Sequence, residues 1–207
     1  MTTLEEEWKP RTKLGKMILE GSISSMEEVF TEGLKIREPQ IVDVLIPDLQ
    51  EEVVNINLVQ KQTDAGEKSQ FKATVAVGNR DGYIGLGSRS ARQVRTAIEK
   101  AAMDARLKIT LVRRGCGSWQ CACGRPHSLP FEIRGKCGGV EIALIPGPRG
   151  LGVVANEVGK VILGLAGVKD CWTRSYGSTR TVPSFACAVF QALRKTYDLI
   201  TPAEWVK

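Results

Sequence analysis

The sequence predicts an α+β protein of two domains, and three observations support this fold class. Three segments between residues 51 and 86 alternate apolar and polar side chains as β-strands do, and a helix-like apolar repeat follows them. A cysteine-rich segment then interrupts the pattern, and strand-like and helix-like segments begin again beyond it. We therefore expect an N-terminal arm with short helices, a first domain, a cysteine-rich insert, a second β/α domain and a tail, with limits at 1–50, 51–114, 115–130, 131–200 and 201–207.

The first 50 residues carry only short helical signals. Residues 1–20 show no clean periodicity and predict an extended arm that Trp8 anchors. Ser25, with a glutamate three residues later, is a capping box that predicts a helix to about Leu34. Residues 41–49 combine apolar side chains with a proline, and they indicate a loose connector or a short helix.

The first domain is predicted to contain three antiparallel strands. Residues 53–62 alternate as a strand does, and the polar, glycine-containing residues 63–69 predict a hairpin loop. Residues 71–77 form the second predicted strand. An Asp-Gly step at 81–82 predicts a turn, because glycine supplies the positive φ that such turns need, and residues 83–86 form the third strand.

A helix is predicted to pack on these strands. Ser90 and Gln93 have capping-box spacing and indicate its start. Its apolar side comprises Val94, Ile98, Ala101, Ala102 and Ala105. Arg89, Arg92 and Arg95 recur every third residue, so a guanidinium row near a helix N-terminus, behind glycines, would make a seat for a phosphate. The alternative is that the glycines only let the hairpin twist tightly beneath the helix, with the arginines as a solvated face.

Four of the six cysteines lie between residues 116 and 137, a clustering that favours metal binding over disulfides. Cys116, Cys121 and Cys123 occur in glycine-rich turns, and thiolates and imidazole are ligands of tetrahedral Zn²⁺. We expect these three cysteines to bind zinc, with Cys137 as the fourth ligand or His127 in its place. The spacing is not a standard pair of CxxC motifs, so the alternative is free thiols in a buried loop. His127, the single histidine, could equally hydrogen-bond in a turn or face a phosphate.

The second domain is predicted from weaker but similar patterns. Its expected elements are a strand pair at 131–133 and 140–145, a helix at 157–165, a short strand at 168–173, a basic loop at 174–181 and a final helix capped by Ser184. Cys171 and Cys187 fall at apolar positions, so we expect them in the core rather than at a metal.

Charge and hydropathy favour a protein with a polyanionic partner and argue against a membrane or secreted protein. The formal net charge is +6 and the sequence pI is about 9.1, which favours a polyanionic partner. No apolar run approaches the length of a membrane span, and the N-terminal residues are too acidic for a signal peptide. We therefore expect a cytoplasmic protein with no membrane partner.

No catalytic arrangement emerges, and we expect no enzymatic activity and no nucleotide cofactor. Any triad would have to use His127, which lies in a glycine- and proline-containing loop beside cysteines. Residues 85–91 resemble the ATP loop of the galactokinase and homoserine kinase superfamily, although the proline that normally precedes that loop is missing. A small-molecule kinase using this loop is the alternative function.

A resemblance to a known family extends along nearly the whole chain. Residues 60–63, 82–87, 113–115, 135–138, 148–150, 165–170 and 201–202 are similar to segments of ribosomal protein S5 of the small ribosomal subunit. Trp8, Pro10 and residues 12–15 are similar to the N-terminal arm of its archaeal and eukaryotic form, called S2 in eukaryotes.

The resemblance implies a first domain like a double-stranded-RNA-binding fold and a second domain of the S5 C-terminal type. It also implies a structural constituent of the small subunit that binds rRNA near the decoding region and the path by which mRNA enters, contacts neighbouring ribosomal proteins and supports translational accuracy. Residues 63–70 match the hairpin loop with which family members touch RNA. Our candidate RNA-binding residues are Lys61, Lys68, Lys72, Arg80, Arg89, Arg92, Arg95, Arg113, Arg114, Arg149, Arg174 and Arg180. The cysteine insert departs from the bacterial pattern, so the zinc prediction depends on ligand chemistry alone.

Overall fold

The computed structural model describes residues 8–121 and 123–199, which form two four-stranded sheets with helices. The predicted tail at 201–207 lies outside the described residues. In chain order the elements are α1 (Lys13–Leu19), α2 (Met26–Thr31), α3 (Gln40–Leu45), β1 (Gln50–Thr63), β2 (Gly66–Gly78), β3 (Tyr83–Ala91), α4 (Val94–Leu107), β4 (Thr110–Leu111), β5 (Ile133–Cys137), β6 (Val140–Pro146), β7 (Val153–Val154), α5 (Glu157–Leu165), β8 (Cys171–Gly177), α6 (Val182–Arg194) and a 3₁₀ turn (Lys195–Tyr197).

The first sheet is antiparallel with the order β1-β2-β3-β4, so the short β4 joins the three predicted strands. Thr63 pairs with Gly66, and only two residues separate β1 from β2. The expected loop at 63–69 is therefore wrong, because residues 66–69 continue the ladder of β2. Gly66 has a φ of 114°, a conformation that glycine tolerates and that permits the tight reversal.

The third strand is longer than predicted, and the helix after it begins later. Ala91 still pairs with Phe71 in β2, so Ser90 belongs to β3 and does not cap a helix. α4 starts at Val94, and its N-cap residue Gln93 makes no side-chain capping bond. Sheet pairing thus prevails over the capping-box pattern, because ladder hydrogen bonds satisfy the backbone there.

Glycines in β3 allow α4 to approach the sheet closely. A Cβ atom on Gly87 would lie 2.2 Å from the carbonyl oxygen of Ala101, and one on Gly85 would lie 2.3 Å from that of Ala105. Both glycines are buried beneath the helix. The prediction of a phosphate seat here is wrong, because the glycines make room for a helix backbone and not for a ligand.

The N-terminal helices form a small apolar layer of their own. Thr12 accepts a hydrogen bond from the backbone N–H of Gly15 and caps α1, so the region predicted to be an extended arm contains a helix. Trp8 does anchor the chain, with Nε1 donating to a Glu38 carboxylate oxygen at 3.1 Å. The Ser25 capping prediction is confirmed, although α2 ends at Thr31.

The second sheet has the order β5-β6-β8-β7, with β7 parallel to β8 and the other pairs antiparallel. The predicted helix at 157–165 is confirmed. Two other predictions are wrong: residues 174–177 extend β8 rather than forming a loop, and α6 begins at Val182, before Ser184. The strand predicted at 131–133 is also misplaced: β5 spans Ile133–Cys137, because the turn to β6 lies at Gly138, whose φ is 60°.

The two sheets share one buried core. Ala76 and Ile84 of the first sheet belong to the same apolar cluster as Leu163 of α5 and Phe185 of α6. The other face of the first sheet packs on α4 through Ala73, Val75 and Val77. Both faces of β2 are therefore covered, and the second domain is fixed against the first. No helix among the described residues is long and apolar enough to span a membrane.

Candidate functional site

The β1–β2 hairpin carries one group of predicted RNA-binding residues. Lys61 lies directly opposite Lys68 in the ladder, and both are exposed. Lys72 is exposed farther along β2, opposite Asn57. None of the three lysines has an ion-pair partner among the described residues. Like charges directly opposite each other in a sheet destabilise it, so this arrangement favours binding of a polyanion.

The predicted guanidinium row does not exist, because β3 continues through Arg89. Arg89 is ion-paired with Asp104 at 2.7 Å on the strand, whereas Arg95 lies in α4 and pairs with Glu99 at 3.2 Å. Arg92 is exposed in the bend between the two elements and has no ion pair among the residues that the structure describes. The three side chains therefore belong to three different surroundings.

A cleft of about 600 Å³ collects basic residues from both domains. Its lining includes Arg114, Arg125, Arg149 and Lys169, with Asp81 and Asp170. Arg114 is ion-paired with Asp81, but the other three cations are exposed and have no ion-pair partner in the described ranges 8–121 and 123–199. The sequence predictions missed Arg125 and Lys169, whose proximity to His127 and Asp170 along the chain was the available signal.

The other predicted cations are dispersed. Arg80 occupies the β2–β3 turn with a φ of 57°, and its backbone N–H donates to Leu165 at 2.8 Å. Arg113 is half-buried, and its backbone N–H donates to Thr196 Oγ1 at 3.0 Å. Arg174 in β8 and Arg180 before α6 are exposed. Exposed cations without ion-pair partners thus form groups on the hairpin and in the cleft, whereas Arg92, Arg174 and Arg180 are exposed singly elsewhere on the described surface.

The cysteine segment is a closed loop between the two domains. Gly115 and Ser128 exchange two backbone hydrogen bonds, of 2.8 and 2.9 Å, and Gly117 donates to Leu129 at 3.0 Å. A Cβ atom on Gly117 would lie 2.1 Å from the Pro130 carbonyl oxygen, so only glycine fits there. This closure brings Cys116, near the start of the loop, next to His127, near its end.

Four potential ligand atoms converge inside this loop. The sulfurs of Cys116, Cys121 and Cys123 and a ring nitrogen of His127 all lie within 4.8 Å of one another. Cys137, the first choice for a fourth ligand, is elsewhere: it ends β5, beside Cys187 of α6. Burial and the nearby Cys137 thiol raise the pKa of Cys187 to about 11. Cys171 is buried in the core, as predicted, and Cys187 is half-buried.

Asp170 holds His127 in place. His127 Nδ1 lies 2.8 Å from Asp170 Oδ2, and because a carboxylate only accepts hydrogen bonds, Nδ1 is the donor. The other carboxylate oxygen of Asp170 accepts from the backbone N–H groups of Gly150, at 3.1 Å, and Gly152, at 2.8 Å. The Nε2 atom of His127 is thereby turned towards Cys121 Sγ, 3.9 Å away.

The backbone around the thiols favours their ionised form. This holds for Cys121, because the backbone N–H of Arg149, followed by the Cys123 thiol, lowers the pKa of Cys121 to about 6. At Cys123 the backbone N–H of Arg125 acts in the same direction, but burial and the two neighbouring thiols outweigh it and raise the pKa of Cys123. The thiolate is the form of cysteine that binds metal ions. The arrangement is therefore suited chemically to a metal centre, and it lies beside the basic cleft.

Two family models match the chain. One, described as "Ribosomal protein S5, N-terminal domain", matches residues 49–113, and the other, "Ribosomal protein S5, C-terminal domain", matches residues 135–204.

Curated relatives resemble the chain over nearly its full length. Small ribosomal subunit protein uS5 of Thermofilum pendens is 55% identical over 199 residues, which cover 96% of this chain and 98% of the relative. The protein of the same name from Pyrobaculum calidifontis is 58% identical over 190 residues, which cover 92% of this chain and 94% of the relative. The protein of the same name from Ignicoccus hospitalis is 53% identical over 207 residues, which cover 100% of this chain and 98% of the relative. The chain belongs to the ribosomal protein S5 family.

Proposed function

We propose that this chain is a structural constituent of the small ribosomal subunit in the cytoplasm and binds rRNA through the β1–β2 hairpin and the basic cleft. The observation that carries the proposal is the set of exposed cations without ion-pair partners in these two places. The family is one of structural, non-enzymatic proteins, and its curated members are named small ribosomal subunit protein uS5.

The mode of binding follows from the chemistry of the two surfaces. Lysine and arginine side chains on a narrow hairpin contact phosphates rather than base edges, so they position RNA without reading its sequence. Rigid double-stranded RNA is recognised mainly by shape and backbone contacts. The ladder fixes the spacing of Lys61, Lys68 and Lys72, while the cleft presents Arg125, Arg149 and Lys169 from loops.

The position in the subunit is a finer part of the proposal. The resemblance of residues 63–70 to the RNA-touching loop of the family supports a place near the decoding region and the path by which mRNA enters. There the hairpin would support translational accuracy, and the remaining surfaces would contact neighbouring ribosomal proteins. The alternative of a small-molecule kinase is disfavoured because its loop, residues 85–91, is a paired strand under α4.

Association with ribosomes provides the first test. A tagged chain in lysate of its own cells should sediment with small subunits through a sucrose gradient and remain there after a salt wash. A chain that stays with free protein at the top of the gradient would contradict the proposal.

Salt dependence tests the hairpin specifically. Each phosphate contact removed should reduce the slope of log affinity against log salt by about 1, because fewer counterions are released. The double variant Lys61→Gln/Lys68→Gln should therefore bind small-subunit rRNA with a shallower slope than the native chain. Lys100→Gln, which removes an exposed cation from α4, is the control and should leave most of the slope intact. An unchanged slope in the double variant would remove the hairpin from the interface.

A further inference from the structure

We propose that Cys116, Cys121, Cys123 and His127 bind one Zn²⁺ ion in a closed, structural site, with Asp170 as the positioning residue behind His127. The four ligand atoms come from a loop of 12 positions, counted from Cys116 to His127, whose described residues, 116–121 and 123–127, carry no helix or strand. Backbone hydrogen bonds close the base of the loop, at Gly115, Gly117, Ser128 and Leu129, and a metal ion would cross-link the side chains farther along it.

The separations of the ligand atoms fit a tetrahedron. Zinc lies about 2.3 Å from thiolate sulfur and about 2.0 Å from imidazole nitrogen, which puts two sulfurs about 3.8 Å apart and a sulfur and a nitrogen about 3.5 Å apart. The sulfurs of Cys116 and Cys123 are 3.6 Å apart, and Cys121 Sγ is 3.9 Å from His127 Nε2. Only small side-chain adjustments are needed to close the site around an ion.

The thiols do not form a disulfide instead. The 3.6 Å between Cys116 and Cys123 sulfurs is far longer than a covalent S–S bond of about 2.05 Å. The alternative, free thiols in a buried loop, gives no reason for an imidazole nitrogen to face them. Three soft sulfur ligands and one imidazole favour Zn²⁺ over Mg²⁺ or Ca²⁺, which prefer oxygen ligands.

Asp170 supplies the carboxylate that commonly lies behind a metal-binding histidine. A metal-bound histidine usually donates its other ring N–H to a carboxylate, which fixes the ring and strengthens the nitrogen as a ligand. The 2.8 Å contact between His127 Nδ1 and Asp170 Oδ2 has this form. Asp170 is itself fixed by the backbone N–H groups of Gly150 and Gly152, so the ligand is attached to the second domain.

Zinc in this position would also order part of the basic cleft, an extension that rests on the proposed function. Arg125 lies between the ligands Cys123 and His127, and the backbone N–H of Arg149 is beside the sulfur of Cys121. Both guanidinium groups belong to residues that line the cleft. The ion would therefore hold the backbone from which these two arginines reach RNA, without touching RNA itself.

Metal content is the direct test, and it does not depend on RNA binding. The full-length chain, purified without added metal or chelator, should contain one zinc atom per molecule by elemental analysis. Replacement by Co²⁺ should give the visible bands of tetrahedral cobalt and the near-ultraviolet absorption of thiolate ligands. A native chain that has no zinc and develops no such spectrum with added Co²⁺ would overturn the proposal, whatever its behaviour with ribosomes.

Two serine variants distinguish the ligand set. Cys121→Ser should lower zinc affinity at least tenfold and alter the cobalt spectrum, whereas Cys137→Ser should retain one zinc and the native spectrum, because its thiol lies beside Cys187. The reverse result would assign the fourth ligand to Cys137 and contradict the set proposed here. If Cys121→Ser does not fold, the native cobalt spectrum still decides whether a thiolate site exists.

Asp170→Asn tests the positioning role. It should keep one zinc per chain and a tetrahedral cobalt spectrum while lowering zinc affinity by about 10–100-fold, as substitutions behind a ligand do. Native affinity in this variant would show that Asp170 has only a structural role.

Discussion

Asp104 and Asp170 are the two buried carboxylates of the described residues, 4% and 5% exposed, and they are neutralised in different ways. Asp104 lies between β3 and α4 and accepts from Lys108 at 2.6 Å and from Arg89 at 2.7 Å. A third bond comes from the backbone N–H of Ser88 at 3.2 Å. Its charge is balanced by two cations of the same domain.

Asp170 has no such balance. Its partners are His127 and the backbone N–H groups of Gly150 and Gly152, and no lysine or arginine side chain forms an ion pair with it within residues 8–121 and 123–199. A buried carboxylate needs hydrogen bonds or an opposite charge to compensate for its lost hydration. Asp170 receives three hydrogen bonds, and the zinc ion proposed above, bound to His127, would add positive charge nearby. The comparison teaches that the carboxylate of the first domain is fixed by two flexible cationic side chains, whereas that of the second is fixed by a histidine and two backbone N–H groups.

The largest expected effect comes from removing Asp170. Asp170→Ala leaves the buried His127 ring and the partly buried N–H groups of Gly150 and Gly152 without an acceptor, so the free energy of unfolding should fall by about 3 kcal/mol. Urea unfolding followed by circular dichroism measures this. Asp64→Ala, at the exposed hairpin turn, should change stability by less than about 0.5 kcal/mol. Equal effects at the two positions would contradict the anchoring role of Asp170.

Asp104→Asn should have a smaller effect. The lost charge weakens two hydrogen bonds, but Arg89 and Lys108 are about half exposed and regain water, so we expect a loss of about 1–2 kcal/mol. The same urea experiment applies. Glu99→Gln removes the carboxylate of an exposed pair with Arg95 and should lose about 0.5 kcal/mol or less. If Asp104→Asn also lost only about 0.5 kcal/mol, the burial of Asp104 would add nothing to its ion pairs with Arg89 and Lys108.

The pH dependence of stability sharpens the same comparison. Burial raises the pKa of Asp104, but hydrogen bonds from Lys108 and Arg89 lower it more, so its pKa lies below the ordinary 3.8. The stabilisation is therefore fully present above about pH 4 and disappears as the pH falls through the pKa of the folded state. The difference in unfolding free energy between the native chain and Asp104→Asn should shrink over that interval. A constant difference down to pH 2 would contradict this.

The smallest effect is expected where charges are fully exposed. Replacing Lys61 by Gln removes the repulsion from Lys68 across the ladder and should raise the free energy of unfolding of the RNA-free chain by about 0.3–0.5 kcal/mol. The gain should shrink with added salt, which already screens exposed charges. Thermal unfolding at low and high salt measures it. A loss of stability would mean that the lysine stem packs on the hairpin.

Local patterns in the sequence predicted the fold class and several elements. The helix at 157–165 was predicted with its observed limits, because apolar spacing is a local signal, and the structure adds a cap from Asn156 to the N–H of Glu157. Ser90 and Gln93 show where local reasoning fails: their spacing is that of a capping box, but pairing with β2 keeps Ser90 in a strand. That single difference moves Arg89 from a helix terminus to Asp104 and removes the expected phosphate seat.

The residues of the candidate site likewise fall into those that local patterns predicted and those that they missed. The sequence predicted that Cys116, Cys121 and Cys123 would converge, which the structure shows, but its first choice for a fourth ligand, Cys137, lies elsewhere. Zinc binding itself and RNA contact by the hairpin lysines stay predictions. Arg125 and Lys169 were missed because their proximity to His127 and Asp170 along the chain is a weak signal, which does not distinguish a cation that lines a cleft from one that faces solvent.

The sequence by itself determined which residues are able to form strands, helices and a loop rich in potential metal ligands, because these properties depend on neighbours within a few positions. Only the tertiary structure decided between His127 and Cys137, since the bridge from Gly115 to Ser128 closes the loop around His127 and β5 carries Cys137 away. It also brought Asp170 to His127 across 43 positions, a contact between distant residues that no local spacing encodes.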